Sequence, residues 1–248
     1  MRNICFTMAY NLTSQVRKIT KLLYEQNKSD FKHIIFDLGF PLTEDAKPDN
    51  IQEAKKKNTT ELKKICLDYG SEYMQLENIG ISQNWTNIYK IINPSHDDVM
   101  IGVDPDEIPQ HSGWVKAMGN ALRGNRIAMA SLMITDHIQY AHGWAADKVD
   151  INGVKCYLMH GVINYALIGF TGEFLKVANG IPVPDIANRY GYLEYALHPL
   201  FDKYKFDWVV LEDFHVEHTY PCQVYHGWKN YVLQQGNNQI TFDEYLML

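Results

Sequence analysis

Over the first hundred residues, short apolar runs alternate with amphipathic stretches. Asn3 to Ala9 reads as a strand, and Thr13 or Ser14 can cap a helix carrying Val16, Ile19, Leu22 and Leu23. His33 to Leu38 reads as a second strand. A polar segment from Thr43 to Asn58 follows and reads as loop or the start of a surface helix. Thr59 or Thr60 is then expected to cap a helix with Leu62, Ile65, Cys66 and Tyr69, stopped by Gly70. Glu72 to Leu76 is a third strand, and the turn from Asn78 to Asn84 leads into a helix carrying Trp85, Ile88, Ile91 and Ile92. Asp98 to Val103 is a fourth strand. Strands alternating with helices predict an α/β fold: a mostly parallel, doubly wound, Rossmann-like sheet with helices on both faces.

The second half is less periodic. Trp114 to Leu122 reads as a helix, Arg126 to Ile134 as a strand, and Thr135 to Asp150 as irregular. Val154 to Phe170 holds one or two strands, and Gly172 to Ala178 is a short helix ended by Gly180. Tyr190 to Tyr204 is a helix that Pro199 breaks or kinks, and Trp208 to Leu211 is a last strand. With no repeat or linker in sight, residues 1–248 read as a single domain.

Composition narrows the classes. Hydrophobic residues make up 46% and charged residues 21%, enough for a sizeable core. The net charge of −6 and the lack of a basic tail argue against a nucleic-acid partner. Lys55, Lys56, Lys57, Lys63 and Lys64 look like a solvated helix face. Cys5, Cys66, Cys156 and Cys222 form no CxxC and read as reduced, buried thiols. The N-terminus reaches polar Tyr10-Asn11 after a short apolar stretch, so no signal peptide is expected. No apolar run is long enough for a transmembrane segment, and a cytoplasmic protein is the expectation.

The richest chemistry follows the fourth strand. Val99, Met100, Ile101 and Val103 lead into Asp104-Pro105-Asp106-Glu107. Pro105 cannot continue a central strand, so these carboxylates fall near the strand's C-terminal edge, where open α/β sheets bind ligands. Clustered carboxylates call for a cation, proton or basic partner. Mg²⁺ is commonly held by one or two carboxylates together with substrate phosphates.

Four features in chain order carry a family resemblance. Ala9-Tyr10-Asn11 follows the first strand and Asp37 ends the second. Asn78-x-Gly80-x-Ser82-x-Asn84 opens the helix after the third, and Asp104-x-Asp106 follows the fourth. In this order they resemble a nucleotide-sugar glycosyltransferase of the GT-A fold, close to the family 2-like group. The resemblance covers Asn3 to Ile108 well and the remainder loosely. It implies a nucleotide-sugar-binding half at 1–108 and an acceptor-binding, catalytic half at 109–248. It implies a metal-dependent transfer from a nucleotide-diphosphate sugar, with a UDP-sugar the first expectation, to an acceptor hydroxyl. The acceptor would be a glycan, a lipid-linked sugar, a protein or a small molecule, with nucleic acid less favoured.

The resemblance also implies roles. Ala9, Tyr10 and Asn11 would line the ribose or base, and Asp37 would accept a hydrogen bond from the base. Asn78, Gly80 and Asn84 would shape the base pocket, although Asp37 alone can serve as a local turn cap. Asp104 would face the ribose, and Asp106 would bind Mn²⁺ or Mg²⁺ directly. An inverting transferase needs a carboxylate base. Glu194, in Gly191-Tyr192-Leu193-Glu194, occupies the family's position for it, though the family's acidic pair is reduced here to one residue. Asp185, Glu212 and Asp213 compete with it. His218 matches the family's histidine metal ligand after the last core strand, and His215 is its alternative.

Rival readings start from the same residues. A nucleotidyltransferase would share the carboxylates but usually needs a Gly-rich basic loop, and Tyr10-Asn11-Leu12-Thr13 has neither glycine nor lysine. A non-catalytic nucleotide-sugar-binding or interaction protein would use the sixteen Tyr and five Trp for partners. His215, His218, Cys222 and His226 have zinc-compatible spacing, yet only one is a cysteine.

Overall fold

The computed structural model describes residues 2–9, 13–28, 31–39, 51–77, 79, 81–134, 145–160, 166–181 and 193–219. The strands are β1 (Asn3–Ala9), β2 (Phe31–Asp37), β3 (Glu72–Gln75), β4 (Val99–Gly102), β5 (Glu107–Pro109), β6 (Ile127–Ile134), β7 (Ala145–Ile151), β8 (Val154–Met159), β9 (Ala166–Thr171) and β10 (Asp207–His218). The helices are α1 (Thr13–Gln26), α2 (Ile51–Tyr69), α3 (Ile81–Ile92), α4 (Trp114–Leu122), α5 (Gly172–Ala178) and α6 (Leu193–Tyr204). The strands form one sheet in the order β3-β2-β1-β4-β9-β6-β10-β8-β7, with β5 paired to β10. β1 through β4 are mutually parallel, and β6 runs parallel to β10. Among the described strands, β5, β8 and β9 oppose the common direction.

Side-chain alternation along β1 explains the two covered faces. Ile4, Phe6 and Met8 pack in one layer with Trp85 and Ile88 of α3, Phe174 of α5 and Phe201 of α6. Cys5 packs on the other face with Ile19 of α1 and Trp114 of α4, and Ala9 with Val16 of α1 and Leu62 of α2. Phe6 meets the edge of Trp85 at 4.5 Å between ring centroids. Trp85 lies so close over Gly102 that a Cβ there would sit 2.6 Å from its ring. A glycine at the end of β4 is therefore what lets α3 dock where β4 gives way to the acidic turn.

Several sequence expectations need correction. α2 starts at Ile51, so Thr59 and Thr60 are interior helix residues and not caps. Thr60 Oγ1 donates back to the Lys56 carbonyl at 2.9 Å, which is how an interior threonine satisfies its hydroxyl. β7 occupies the end of the stretch read as irregular, hidden by its charged edge-strand residues Asp147, Lys148 and Asp150. α6 continues through Pro199. The three-residue β5 is too short to leave a periodic signal, and β10 continues to His218 through a bulge. Cys5, Cys66 and Cys156 are free and buried.

A carboxylate turn at the sheet switch point

The strand order turns from β1 to β2 on one side and from β1 to β4 on the other, the place where doubly wound sheets bind ligands. Ala9 ends β1 there, buried and in register with Asp37 of β2. Asp104 to Glu107 closes a tight turn, in which the Glu107 N–H donates to the Asp104 carbonyl at 3.2 Å. Asp at the first position and Pro at the second are what such a turn prefers. The turn leads into β5, which pairs antiparallel with the end of β10 and sets His218 opposite Glu107. Thr219 then donates its N–H (2.6 Å) and its hydroxyl (2.9 Å) to the Asp106 carbonyl.

This pairing carries His218 to Asp106, with Nε2 3.5 Å from Oδ2. The two residues assigned as metal ligands from the sequence are therefore brought together by β5 and β10. His215 is held elsewhere: its Nε2 lies 3.2 Å from the Glu212 carbonyl, and its ring packs edge-on against His111. Among the described residues, no group of three or more His, Cys, Asp or Glu is arranged to hold a metal by itself. A carboxylate and an imidazole side by side fit a divalent cation whose other positions go to phosphate oxygens and water.

Electrostatics set this turn apart. Burial, and then the charge of Asp106, pushes Asp104 up to about 7. Glu107 is also raised well above the usual carboxylate range, first by burial and then by Asp104 and Asp106. These groups resist ionising together, and a cation would relieve that repulsion.

The other assigned residues take different places. Asp37 is almost fully buried, and its carboxylate accepts from Gly39 N–H (2.9 Å), Thr59 Oγ1 (2.6 Å) and Tyr73 OH (2.8 Å). It thus caps its own turn and joins β2, α2 and β3. Asn84 is buried in the first half of α3. Tyr10, Asn11, Asn78, Gly80 and Asp185 lie outside the described residues, as does the tail with Cys222 and His226. Glu194 is the second residue of α6, and its side chain lies outside the described set. Glu212 pairs with Lys148 and accepts from Tyr157 OH at 3.1 Å; the Lys148 contact above all holds its carboxyl below the usual range. That makes Glu212 a weak proton acceptor. Asp98, at the opposite end of β4, accepts from the Arg2 guanidinium at 2.6 Å and from Ser95 N–H at 2.9 Å, away from the turn.

The sequence marks Glu107 as a structural member of the acidic burst and gives no sign of Leu167, whose φ is +45°. Nothing in the apolar run around Leu167 signals that backbone conformation.

The fold is a mixed α/β sheet with helices on both faces and an acidic turn after its fourth strand. No family model and no curated protein matches this chain. Among solved structures it is similar to "Mannosyltransferase PcManGT from Pyrobaculum calidifontis in complex with GDP-Man and Mn2+", at 13% sequence identity and a TM-score of 0.59. The match covers 100% of this chain and 70% of that one. At that identity the likeness is one of fold. No helix among the described residues is long and apolar enough to cross a membrane.

Proposed function

We propose that this protein is a divalent-metal-dependent glycosyltransferase that moves a sugar from a nucleotide-diphosphate sugar to an acceptor hydroxyl. The observation that carries this reading is Asp106 beside His218 at the sheet switch point, 3.5 Å apart. Asp106 and His218 would hold Mn²⁺ or Mg²⁺ against the donor diphosphate. When bound there, the cation supplies positive charge to the leaving diphosphate. Asp104 would face the ribose. Ala9, Tyr10, Asn11, Asn78, Gly80 and Asn84 would enclose the nucleoside, with Asp37 supporting the rim of that pocket from inside. Glu194, near the N-terminal end of α6, would take the acceptor's proton, which makes the transfer inverting. The solved mannosyltransferase carries GDP-Man and Mn²⁺, and the sequence resemblance points first to a UDP-sugar, so both donor classes belong in the test.

That test is a thermal-shift panel of GDP, UDP, GDP-sugars and UDP-sugars with and without Mn²⁺. A nucleotide at 100 times its Kd stabilises the protein by about 2.7 kcal/mol. A shift that needs both Mn²⁺ and nucleotide, and that Asp106→Ala removes, supports the proposal. No shift with any nucleotide, or an undiminished shift in Asp106→Ala, overturns it.

A further inference from the structure

Glu107 closes the acidic turn and ties it to the rest of the sheet at two points. Its N–H closes the turn on the Asp104 carbonyl at 3.2 Å. Its backbone stands opposite His218 in the β5–β10 pair. Its Oε2 accepts the buried N–H of Leu167 at 2.5 Å. Glu107 is itself buried, at 5% exposure.

The Leu167 end of this contact is unusual. Leu167 lies inside β9 with φ of +45°, a left-handed conformation that a bulky L-residue rarely adopts. Ser131 braces the neighbouring residue: its Oγ accepts from Ala166 N–H (3.0 Å) and lies within bonding distance of the Ala166 carbonyl (2.9 Å). The β6–β9 register shifts at this point, between Ala130 and Leu132. A strained backbone persists only where its surroundings over-determine it, and such strain clusters at ligand clamps and active sites.

We infer that Glu107 is a positioning residue, which fixes the Asp104–Asp106 turn against β9 so that Asp106 stays opposite His218. This rests on the proposed cation–diphosphate site. In this arrangement Glu107 acts through the turn and through the Leu167 amide.

The test is Mn²⁺ binding, followed by electron paramagnetic resonance in the presence of GDP or of UDP, alongside thermal melts. Glu107→Gln keeps a carbonyl acceptor for Leu167 and should bind Mn²⁺ within about threefold of the original chain. Glu107→Met keeps the length without the acceptor and should bind about tenfold more weakly, the loss expected when a ligand's support is removed. Unchanged Mn²⁺ affinity in Glu107→Met, with only its melting temperature lowered, overturns the inference and leaves the proposed function standing. No Mn²⁺ uptake by the original chain with either nucleotide overturns both. If Glu107→Met does not fold, hydrogen exchange at the Leu167 amide of the original chain decides. Slower exchange on adding Mn²⁺ with nucleotide supports the inference, and an unchanged rate overturns it.

Discussion

The two halves of the sheet follow different rules. β1 to β4 pair in parallel with no register shift, and helices α1, α2 and α3 connect them. β6 to β10 mix parallel and antiparallel pairs, with register shifts between β6 and β9, within the β6–β10 pair, and between β7 and β8. Leu167, the one positive-φ leucine among the described residues, belongs to this second half. The regular half gives the acidic turn a rigid strand to spring from. The irregular half bends back to meet it: β10 carries three extra residues between Leu211 and His215, then continues straight to His218. Bulges of this kind re-aim a strand near a functional site. The candidate site thus falls where a regular strand, β4, meets a strand that has given up its regularity, β10.

Two substitutions should separate these roles. Phe6→Ala strikes the scaffold, because Phe6 is fully buried against Phe36 and Trp85. It should cost about 3–5 kcal/mol of unfolding free energy, read from urea titration. Nucleotide affinity of the molecules that remain folded should be unchanged. Asp106→Ala strikes the candidate site: the sugar transfer proposed above should fall by more than about 100-fold, beyond the loss expected for a residue that only supports a ligand. Its urea midpoint should stay near that of the original chain. If Phe6→Ala weakened Mn²⁺–nucleotide binding in the folded fraction, or Asp106→Ala unfolded the protein, the division between halves would not hold.

The same division governs what the sequence reveals. β1, β2 and β4 are legible because each is an apolar run with polar ends, and their helices carry periodic apolar faces. Asp106 and His218 are legible as chemistry, through the acidic turn and the histidine after a strand. Their proximity is not, since it depends on β5, three residues long and bounded by Pro105 and Pro109. The polar Glu212-Asp213 pair ends the apolar run of β10, so the bulge looks like a strand end. The true start of α2 is blurred by the charged run from Glu53 to Lys57, which reads equally as loop or as the start of a surface helix. Asp37 is legible as a strand-end carboxylate, but its partner Thr59 sits a helix away and looked like a cap.

pH sharpens the comparison, because the scaffold and the acidic turn respond with opposite sign. In the scaffold, His33 is buried between Thr7 Oγ1 (3.1 Å) and Ser71 Oγ (2.8 Å), and burial lowers its pKa to about 3. The unfolded chain titrates near 6.5, so between about 6.5 and 3 only the unfolded state holds the proton. Stability is fully present above that window and is lost as the pH falls through it, by about 1.4 kcal/mol per pH unit. Urea unfolding of His33→Gln from pH of about 7 to about 5 should show a slope flatter by that amount. An unchanged slope would mean that His33 accepts a proton in the folded state.

The acidic turn runs the other way. Burial and the neighbouring charge raise Asp104 to about 7, so the folded state keeps a proton that the unfolded carboxyl releases near 3.9. Its contribution is present below that lower value and is lost as the pH rises through about 7, where His33 has nothing left to give. Asp104→Asn keeps the shape and removes the charge. It should stabilise the protein near neutral pH by about 0.5–2 kcal/mol, the usual gain from relieving a strained functional site, while Mn²⁺-dependent nucleotide binding weakens. The gain should vanish below about pH 4, where Asp104 is protonated in both states. A destabilised Asp104→Asn at neutral pH would show that the turn is held by the Asp104 carboxylate itself. A stabilised variant with weaker nucleotide binding would show that this turn keeps its repulsion for the sake of the cation that relieves it.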